Sequence, residues 1–540
     1  MHSSEKDAFY DPVFYICFLQ LALMPQIKEF SLAPEIAFNN EELAMFLAKE
    51  DSLKQTKLIK RSIDARSRNI KVNLTVEFFD KNEQIPTLAY TKPSKINPNS
   101  KRVIIVGAGP AGLFAALKLL ELGHKPIVIE RGKDVQARRR DLAAINKDHI
   151  VNEDSNYCFG EGGAGTYSDG KLYTRSSKRG DIKRILEILV VHGAKDDILV
   201  DAHPHIGTNK LPQLIQNMRE SIIESGGEIY FNERVCDFTV SFEQVKGIKT
   251  HSGKSIEADG IILATGHSAR DIYHLLHEKD ILIEQKPFAL GVRVEHQQQL
   301  IDSIQYKCED RGMWLPAASY SLVSQEEIHG NTKGVFSFCM CPGGFIVPSA
   351  TAKGEVVVNG MSPSRRDSKF SNSGIVVEVG LDDTKKFAKH GALAGLYFQS
   401  EVEQKACILA GNSQNAPAQR LVDFTQNKLS VSLPDTSYQP GTQSLLMNEV
   451  LPEYIAKSLQ KGFVSFGKKM RGYFTNDAII LGVESRTSSP VRIPRDKDSL
   501  EHPQIKRLFP CGEGAGFAGG IVSAAMDGEN CAIKWAEKYA

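Results

Sequence analysis

Ten consecutive residues constrain this chain more than any others: Val103-Ile104-Ile105-Val106-Gly107-Ala108-Gly109-Pro110-Ala111-Gly112. Four β-branched apolar residues predict a buried parallel strand. Leu113, Ala116, Leu117 and Leu120 then recur at helical spacing. Gly107 permits the tight turn, Gly109 lets backbone approach a pyrophosphate, and Gly112 lets helix and strand pack closely. The helix N-terminus offers free N–H groups to an anion. A second apolar strand, Ile127-Val128-Ile129, ends at Glu130, 23 residues after Gly107, where an acid can bond a ribose hydroxyl. Strand, glycine turn, helix and terminal acid all fall where a dinucleotide needs them.

The 540 residues suffice for two or three domains. A hydrophobic share of 41% and a charged share of 24% are those of a globular protein. The net charge of +1 gives no reason to expect nucleic acid or a membrane surface as a partner. Nine cysteines, an odd number without a C-x-x-C pair, predict reduced thiols and a cytoplasmic location. Val13–Leu23 is apolar but too short to span a bilayer. Met24 follows it, so the preferred reading is an upstream start, with a membrane anchor as the alternative.

Residues 1–98 read as a small α+β domain. Asn40 is placed as the cap of a helix carrying Leu43, Phe46 and Leu47, and Val72, Leu74, Val76 and Phe78 alternate as a half-buried strand. Between them, Lys57, Lys60, Arg61, Arg66, Arg68 and Lys71 are expected on a solvated helix face, with RNA contact as the alternative. A Pro/Asn/Ser-rich linker from Lys92 to Ser100 leads into the nucleotide domain.

Residues 99–285 form the first part of that domain. A basic helix with Arg138, Arg139 and Arg140 precedes a loop from Cys158 to Leu172. Gly160, Gly162 and Gly165 repeat the glycine spacing there, but no apolar strand precedes them, so a loop passing close to a bound group is expected. Leu211–Ser225 reads as a helix, Glu228–Phe231 as a strand, and 245–258 as a hairpin about Ser252-Gly253. The strand Gly260–Leu263 runs into Ala264-Thr265-Gly266.

Residues 286–480 lack βαβ alternation and read as a mixed α+β substrate or cap domain. Strands are expected at Phe288–Val294, Gly334–Cys339 and Glu355–Asn359, and helices at Glu401–Ala410, Ala418–Thr425 and Asn448–Gly462. Residues 481–540 return to nucleotide chemistry. Leu508–Cys511 is a strand running into Gly512-Glu513-Gly514, and Gly519-Gly520-Ile521 opens a helix. The predicted class is therefore α/β, with a Rossmann-like nucleotide domain assembled from both ends of the chain. A closing motif so far from the opening one suits a long cofactor better than NAD.

The opening glycines, Glu130, Ile262–Gly266 and Gly512-Glu513 resemble the FAD-binding domain of glutathione-reductase-type flavoproteins. More narrowly, the chain resembles the bacterial FAD-dependent (NAD/FAD-utilising) dehydrogenase family. The resembling segments are Gly162–Leu172, Gly266–Asp271, Gly291–His296, Phe338–Gly344, Ser485–Ile493 and Gly512–Gly520. The resemblance implies FAD bound by Gly107, Gly109, Pro110, Ala111, Gly112, Glu130, Arg131, Gly163, Val235, Ala264, Thr265, Gly266, Gly512, Glu513, Gly520 and Ile521. Val235 would meet the adenine through its backbone. Glu513 stands where aspartate usually holds a ribityl hydroxyl, and the helix from Gly520-Ile521 would aim its N-terminus at the flavin N1/O2 side.

The function implied is an FAD-dependent oxidoreductase acting on a small organic substrate, with any NADH or NADPH docking transiently over the flavin. Flavin-dependent tRNA modification and a flavin-bound interaction protein remain open as alternatives. His267, Arg270, Arg293, His296, Arg486 and Arg492 are candidates for substrate contact; no residue is singled out as catalytic, and no metal site is read. Cys339 and Cys341 are expected as two free thiols, because an unbroken strand holds the Cα atoms of residues i and i+2 about 6.5–7 Å apart, at the limit for bridging.

Overall fold

The computed structural model describes residues 26–174 and 177–540; the apolar run Val13–Leu23 and Met24 lie outside them. Two compact units emerge: residues 26–88 together with Leu199–Ala202, and residues 89–198 with 203–540.

In the first unit, Gln26–Leu32 (β1), Asn40–Glu50 (α1), Lys54–Asp64 (β2) and Lys71–Asp80 (β3) build an antiparallel sheet of order β1-β3-β2 covered by a helix. Val72, Leu74, Val76 and Phe78 bury the covered face against Leu43 and Leu47. The helix cap is Asn39, one residue before the expected one, and its side chain accepts from the N–H groups of Glu41 and Glu42. The basic run departs from expectation: Lys57, Lys60 and Arg61 lie on β2, Lys71 opens β3, and Arg66 and Arg68 occupy the intervening turn. Leu58 and Ile63 of this strand pack on the core. A bulge between Leu58 and Lys60 breaks the two-residue alternation that would have marked the strand in sequence. Leu199–Ala202 joins β2: the Arg61 N–H donates to Val200 O at 2.8 Å, and the Arg61 side chain reaches Asp201 at 2.7 Å.

The second unit opens with Arg102–Val106 (β4), Pro110–Glu121 (α2) and Lys125–Ile129 (β5). Arg138–Lys147 (α3) and Leu211–Glu224 (α4) precede Glu228–Tyr230 (β6), and Gly260–Leu263 (β7) follows a three-stranded antiparallel excursion. A seven-stranded sheet comes next. Its strands are Phe288–Gln297 (β8), Val323–Ile328 (β9), Asn331–Cys341 (β10), Phe370–Val379 (β11), Ala416–Arg420 (β12), Thr442–Ser444 (β13) and Ile479–Glu484 (β14), in the order β9-β10-β11-β8-β14-β12-β13. Ala394–Leu409 (α5) lies between β11 and β12. Leu508–Pro510 (β15) and Ile521–Tyr539 (α6) close the chain.

β15 pairs in parallel with β7, giving a five-stranded sheet of order β15-β7-β4-β5-β6 drawn from both ends of the sequence. α6 crosses α2 so closely that a Cβ at Gly528 would sit 2.0 Å from the Ala111 carbonyl oxygen. Three expected elements differ, one of them the helix expected at Asn448–Gly462, which is broken at Leu451-Pro452 into Met447–Val450 and Glu453–Lys469. Glu355–Val357 is not strand, and extended pairing begins only at Val358; Ala418–Arg420 belongs to β12, with a short helix from Leu421 to Thr425. Short apolar runs of this kind fit either period, and the neighbouring strand decides. Among the described residues, no helix is long and apolar enough to cross a membrane.

Candidate cofactor and substrate site

A cavity of about 410 Å³ opens where β4, β5 and β7 end. Gly107, at φ +106°, has no room for a side chain, because a Cβ would lie 2.4 Å from Ala264 O. Gly112 packs its Cα against the turn itself: a Cβ there would meet Gly107 O at 1.9 Å. The turn is thereby drawn tight, and the first N–H groups of α2 face the cavity with no side-chain cap. α6 does the same at Gly520-Ile521, also without a side-chain cap. Gly266, Gly519 and Gly520 have no protein atom within 4 Å of where a Cβ would stand. Two open helix N-termini and three glycines facing empty space make a cradle suited to an anionic, elongated ligand.

The expected glycine loop forms the opposite wall. Gly163 approaches Gly109, and Gly162 donates its N–H to Ala108 O at 2.8 Å. Arg138, fully buried in α3, shapes this loop. Its Nε donates to Asn156 O at 2.7 Å, its Nη1 to Glu161 O at 3.0 Å, and both Nη atoms to Gly163 O at 3.0 Å. Three backbone carbonyls thus hold one guanidinium, a role that the basic run 138–140 gave no sign of.

Glu130 lines the cavity but is already heavily engaged. It accepts from Ala108 N–H, Gly132 N–H and Gly160 N–H, each at 2.9 Å. A carboxylate has about four acceptor positions, so about one remains for a ribose hydroxyl. The acid is first a clamp that ties the opening turn to the glycine loop. Arg131 bridges Asp154 and Asp271, each at 2.8 Å, and lies over the Phe159 ring at 4.2 Å. Val235, Ala264 and Thr265 also reach the cavity wall; Gly112 is buried behind it.

At the other end of the sheet, Glu513 accepts from Gly520 N–H, and its Oε2 lies 3.3 Å from His267 Nδ1. His267 Nε2 lies 3.1 Å from Arg486 O. A carbonyl only accepts, so Nε2 carries the hydrogen donated to Arg486 O, and Nδ1 is turned towards the Glu513 carboxylate. Burial pushes the Glu513 carboxyl up, but the bonds from His267 and Gly520 outweigh it and hold the group below its ordinary value.

The chain compares with known proteins as follows. Residues 100–147 match the "FAD binding domain" family, residues 287–487 match "FAD-dependent protein, C-terminal domain-like", and residues 24–79 match a domain of unknown function. An uncharacterised protein of Clostridium beijerinckii is 40% identical over 510 residues, covering 91% of this chain and 94% of that one. The chain belongs to that protein's family. With its two FAD family matches, it is an FAD-dependent protein. Solved structures that it resembles include CtdE in complex with FAD (14% identity, 81% of this chain and 84% of that one, TM-score 0.29). The flavin-dependent brominase Bmp2 is another (13% identity, 54% and 60% covered, TM-score 0.28).

The six candidate substrate contacts separate sharply in this FAD-dependent protein. His267 and Arg486 line the cavity; Arg270, Arg293, His296 and Arg492 do not. Arg270 and Arg486 share two carboxylates: Arg270 reaches Glu355 at 2.8 Å and Glu403 at 2.7 Å, and Arg486 reaches them at 2.9 and 3.0 Å. Burial opposes ionisation of Glu403, yet the two guanidiniums bring it down to about 2. The cluster therefore braces the wall and leaves neither arginine uncompensated. His296 is buried, donates Nε2–H to Tyr473 O at 2.9 Å, and is held by burial at about 4. Arg492 sits over Phe517 at 5.7 Å.

Sequence reasoning missed Asp169 and Lys171 at the far end of the cavity, where Cys339 also faces it. Asp169 pairs with Arg366 at 2.7 Å through Oδ2, while its Oδ1, buried at the wall, has no hydrogen-bond partner among the described residues. The Lys171 ammonium donates to Met340 O. β10 bulges between Phe338 and Cys341, and Cys339 there takes a left-handed φ of +45°. The unbroken strand assumed for the two thiols is therefore absent, although all eight described cysteines, these two included, are unbridged. Among the described residues, Cys511–Asp527–Cys531 has metal-ligand spacing. Both Asp527 oxygens are taken there, by Arg495 at 2.6 and 3.0 Å and by Gly512 N–H at 2.7 Å.

Proposed function

We propose that the protein is an FAD-dependent oxidoreductase that moves electrons between FAD and a small polar organic substrate seated beside the flavin. One observation carries this reading. A single cavity runs from the nucleotide turns at Gly107–Ala111 and Gly512–Ile521 to a polar end at Asp169, Lys171, Cys339 and Asn359. The first end suits a dinucleotide, and the second presents a carboxylate, an ammonium, a thiol and an amide to a small polar molecule. FAD, when bound, supplies the redox chemistry; the chain orients, excludes water and handles protons. Gly109 and the α2 N-terminus would face the pyrophosphate, the remaining Glu130 lone pair the adenosine ribose, and Val235 the adenine edge. Glu513 and His267 face each other at the wall, and Asp169 Oδ1, without a hydrogen-bond partner among the described residues, offers an acceptor to a substrate hydroxyl or amine. NADH or NADPH would act only as a transient electron donor.

The test is anaerobic reduction of the purified yellow protein against a panel of small donors and both nicotinamides, read by loss of flavin absorbance. At least one non-nicotinamide compound is expected to reduce or reoxidise the bound flavin at a substrate-dependent rate. Noncovalent FAD that exchanges electrons with none of them would sink the enzyme reading. A tight stoichiometric complex with NAD(P) surviving FAD removal would replace the transient-donor assignment.

A further inference from the structure

The polar end of the cavity is a buried set of charges that does not balance. Arg366 pairs with Asp169 at 2.7 Å, and Arg293 with Glu484 at 2.7 Å. Lys171 shares Asp169 with Arg366, and among the described residues its ammonium is hydrogen-bonded to the carbonyl of Met340, the residue between the two cysteines. Three cations face two carboxylates, and buried charge is rarely left uncompensated. The remaining acidic groups against Lys171 are the thiols of Cys339 and Cys341. Arg293 Nη1 also lies 3.3 Å from Cys339 O, and the Cys341 thiol lies 3.3 Å from the same oxygen. The bulge and the left-handed backbone at Cys339 turn this residue out of the sheet's alternation and into the cavity wall, whereas Cys341 stays fully buried. Local strain of this kind collects at functional sites.

We propose that Cys339 is a nucleophilic thiolate site, paired with Lys171, that takes a carbon electrophile (an activated carbonyl or a conjugated alkene) in the cavity. It deepens the oxidoreductase reading by naming the substrate class and the group that meets it. In the step itself, the sulfur lone pair forms the S–C bond as the carbon's π pair moves to the adjacent oxygen or carbon. That atom then takes one proton from the Lys171 ammonium, which shares the cavity wall with Cys339. The surroundings support the thiolate. The hydrogen bond from Cys341 brings Cys339 down to about 5 against the opposing effect of burial, helped by Lys171 and Arg293, while Asp169 pulls the other way. Cys341 is pushed up as the partner that keeps its proton.

The experiment is timed iodoacetamide alkylation of the FAD-loaded protein between pH 5 and 9, quantified per cysteine by peptide mass spectrometry. The S–C bond forms there as C–I breaks and iodide leaves. At pH 6, Cys339 should react on the order of tenfold faster than the exposed Cys236, and Cys236 should overtake it by pH 9, because a low-pKa thiolate is abundant but less nucleophilic. Lys171→Met should abolish the acid-side advantage, and Lys171→Arg should restore most of it. A difference titration at 240 nm, wild type minus Cys339→Ser, should show thiolate absorbance appearing below pH 7. Alkylation of Cys339 that merely rises with pH like Cys236 overturns the proposal. So does a thiolate that titrates low yet refuses iodoacetamide. Neither readout depends on flavin turnover, so a failure of the oxidoreductase reading would remain distinguishable.

Discussion

Glu130 shows how one residue can serve both fold and ligand. Three backbone N–H groups converge on its carboxylate from the opening turn, from Gly132 and from the glycine loop. Glu130→Gln would place an amide N–H against at least one of these donors. A buried charged hydrogen bond lost in this way costs about 1.5–3 kcal/mol. The variant should lower the urea midpoint and weaken FAD at least tenfold together, measured by denaturation and by flavin fluorescence; a change in affinity alone would assign Glu130 to the ribose only. Arg138→Lys should act differently. The ammonium reaches fewer of the carbonyls that the guanidinium spans, so the loop at Gly160–Gly163 loosens and FAD release quickens. Stopped-flow displacement of FAD should read a faster off-rate.

Among elements, the two helix N-termini at the cavity make separable predictions. Gly112→Ala places a Cβ 1.9 Å from backbone that cannot move without unmaking the turn, and should abolish soluble, FAD-loaded protein. Gly519→Ala meets no protein atom within 4 Å and should fold with an unchanged urea midpoint. Its methyl group enters the space before α6, so FAD affinity should fall severalfold; unaltered affinity would move the cofactor away from that helix. The nucleotide elements were legible in the sequence because they rest on local rules. β-branched runs, glycines at positive φ and helical periodicity each act within a few residues. The polar end of the cavity was not legible. Asp169, Lys171 and Cys339 come together only when a loop before α4 meets a bulge in β10, and no short-range pattern records that meeting. The same limit hid the fate of Arg270 and Arg293, whose partners Glu355, Glu403 and Glu484 lie far along the chain. The basic run of the first unit was misread for another reason: a bulge shifted its outward charges out of strand register.

At the scale of the whole molecule, one buried histidine couples stability to pH. His296 is held at about 4 from an ordinary 6.5, because burial disfavours its charged form. Between those values the unfolded chain binds a proton that the folded chain refuses. Stability therefore rises with pH through this window and is lost as pH falls from 6.5 towards 4, by up to on the order of 3 kcal/mol. His296→Gln, which keeps a donor for Tyr473 O, should flatten the urea midpoint across that range; an undiminished slope would place the proton uptake elsewhere. The late arrival of β15 has a consequence for biosynthesis. A ribosome delivers β4, α2 and β5 early, but β7 stays an exposed apolar sheet edge until residues 508–510 have cleared the exit tunnel. Until residues 508–521 have been made, the nascent chain holds only the Gly107–Ala111 side of the cradle, and a cofactor that needs both sides must wait for them.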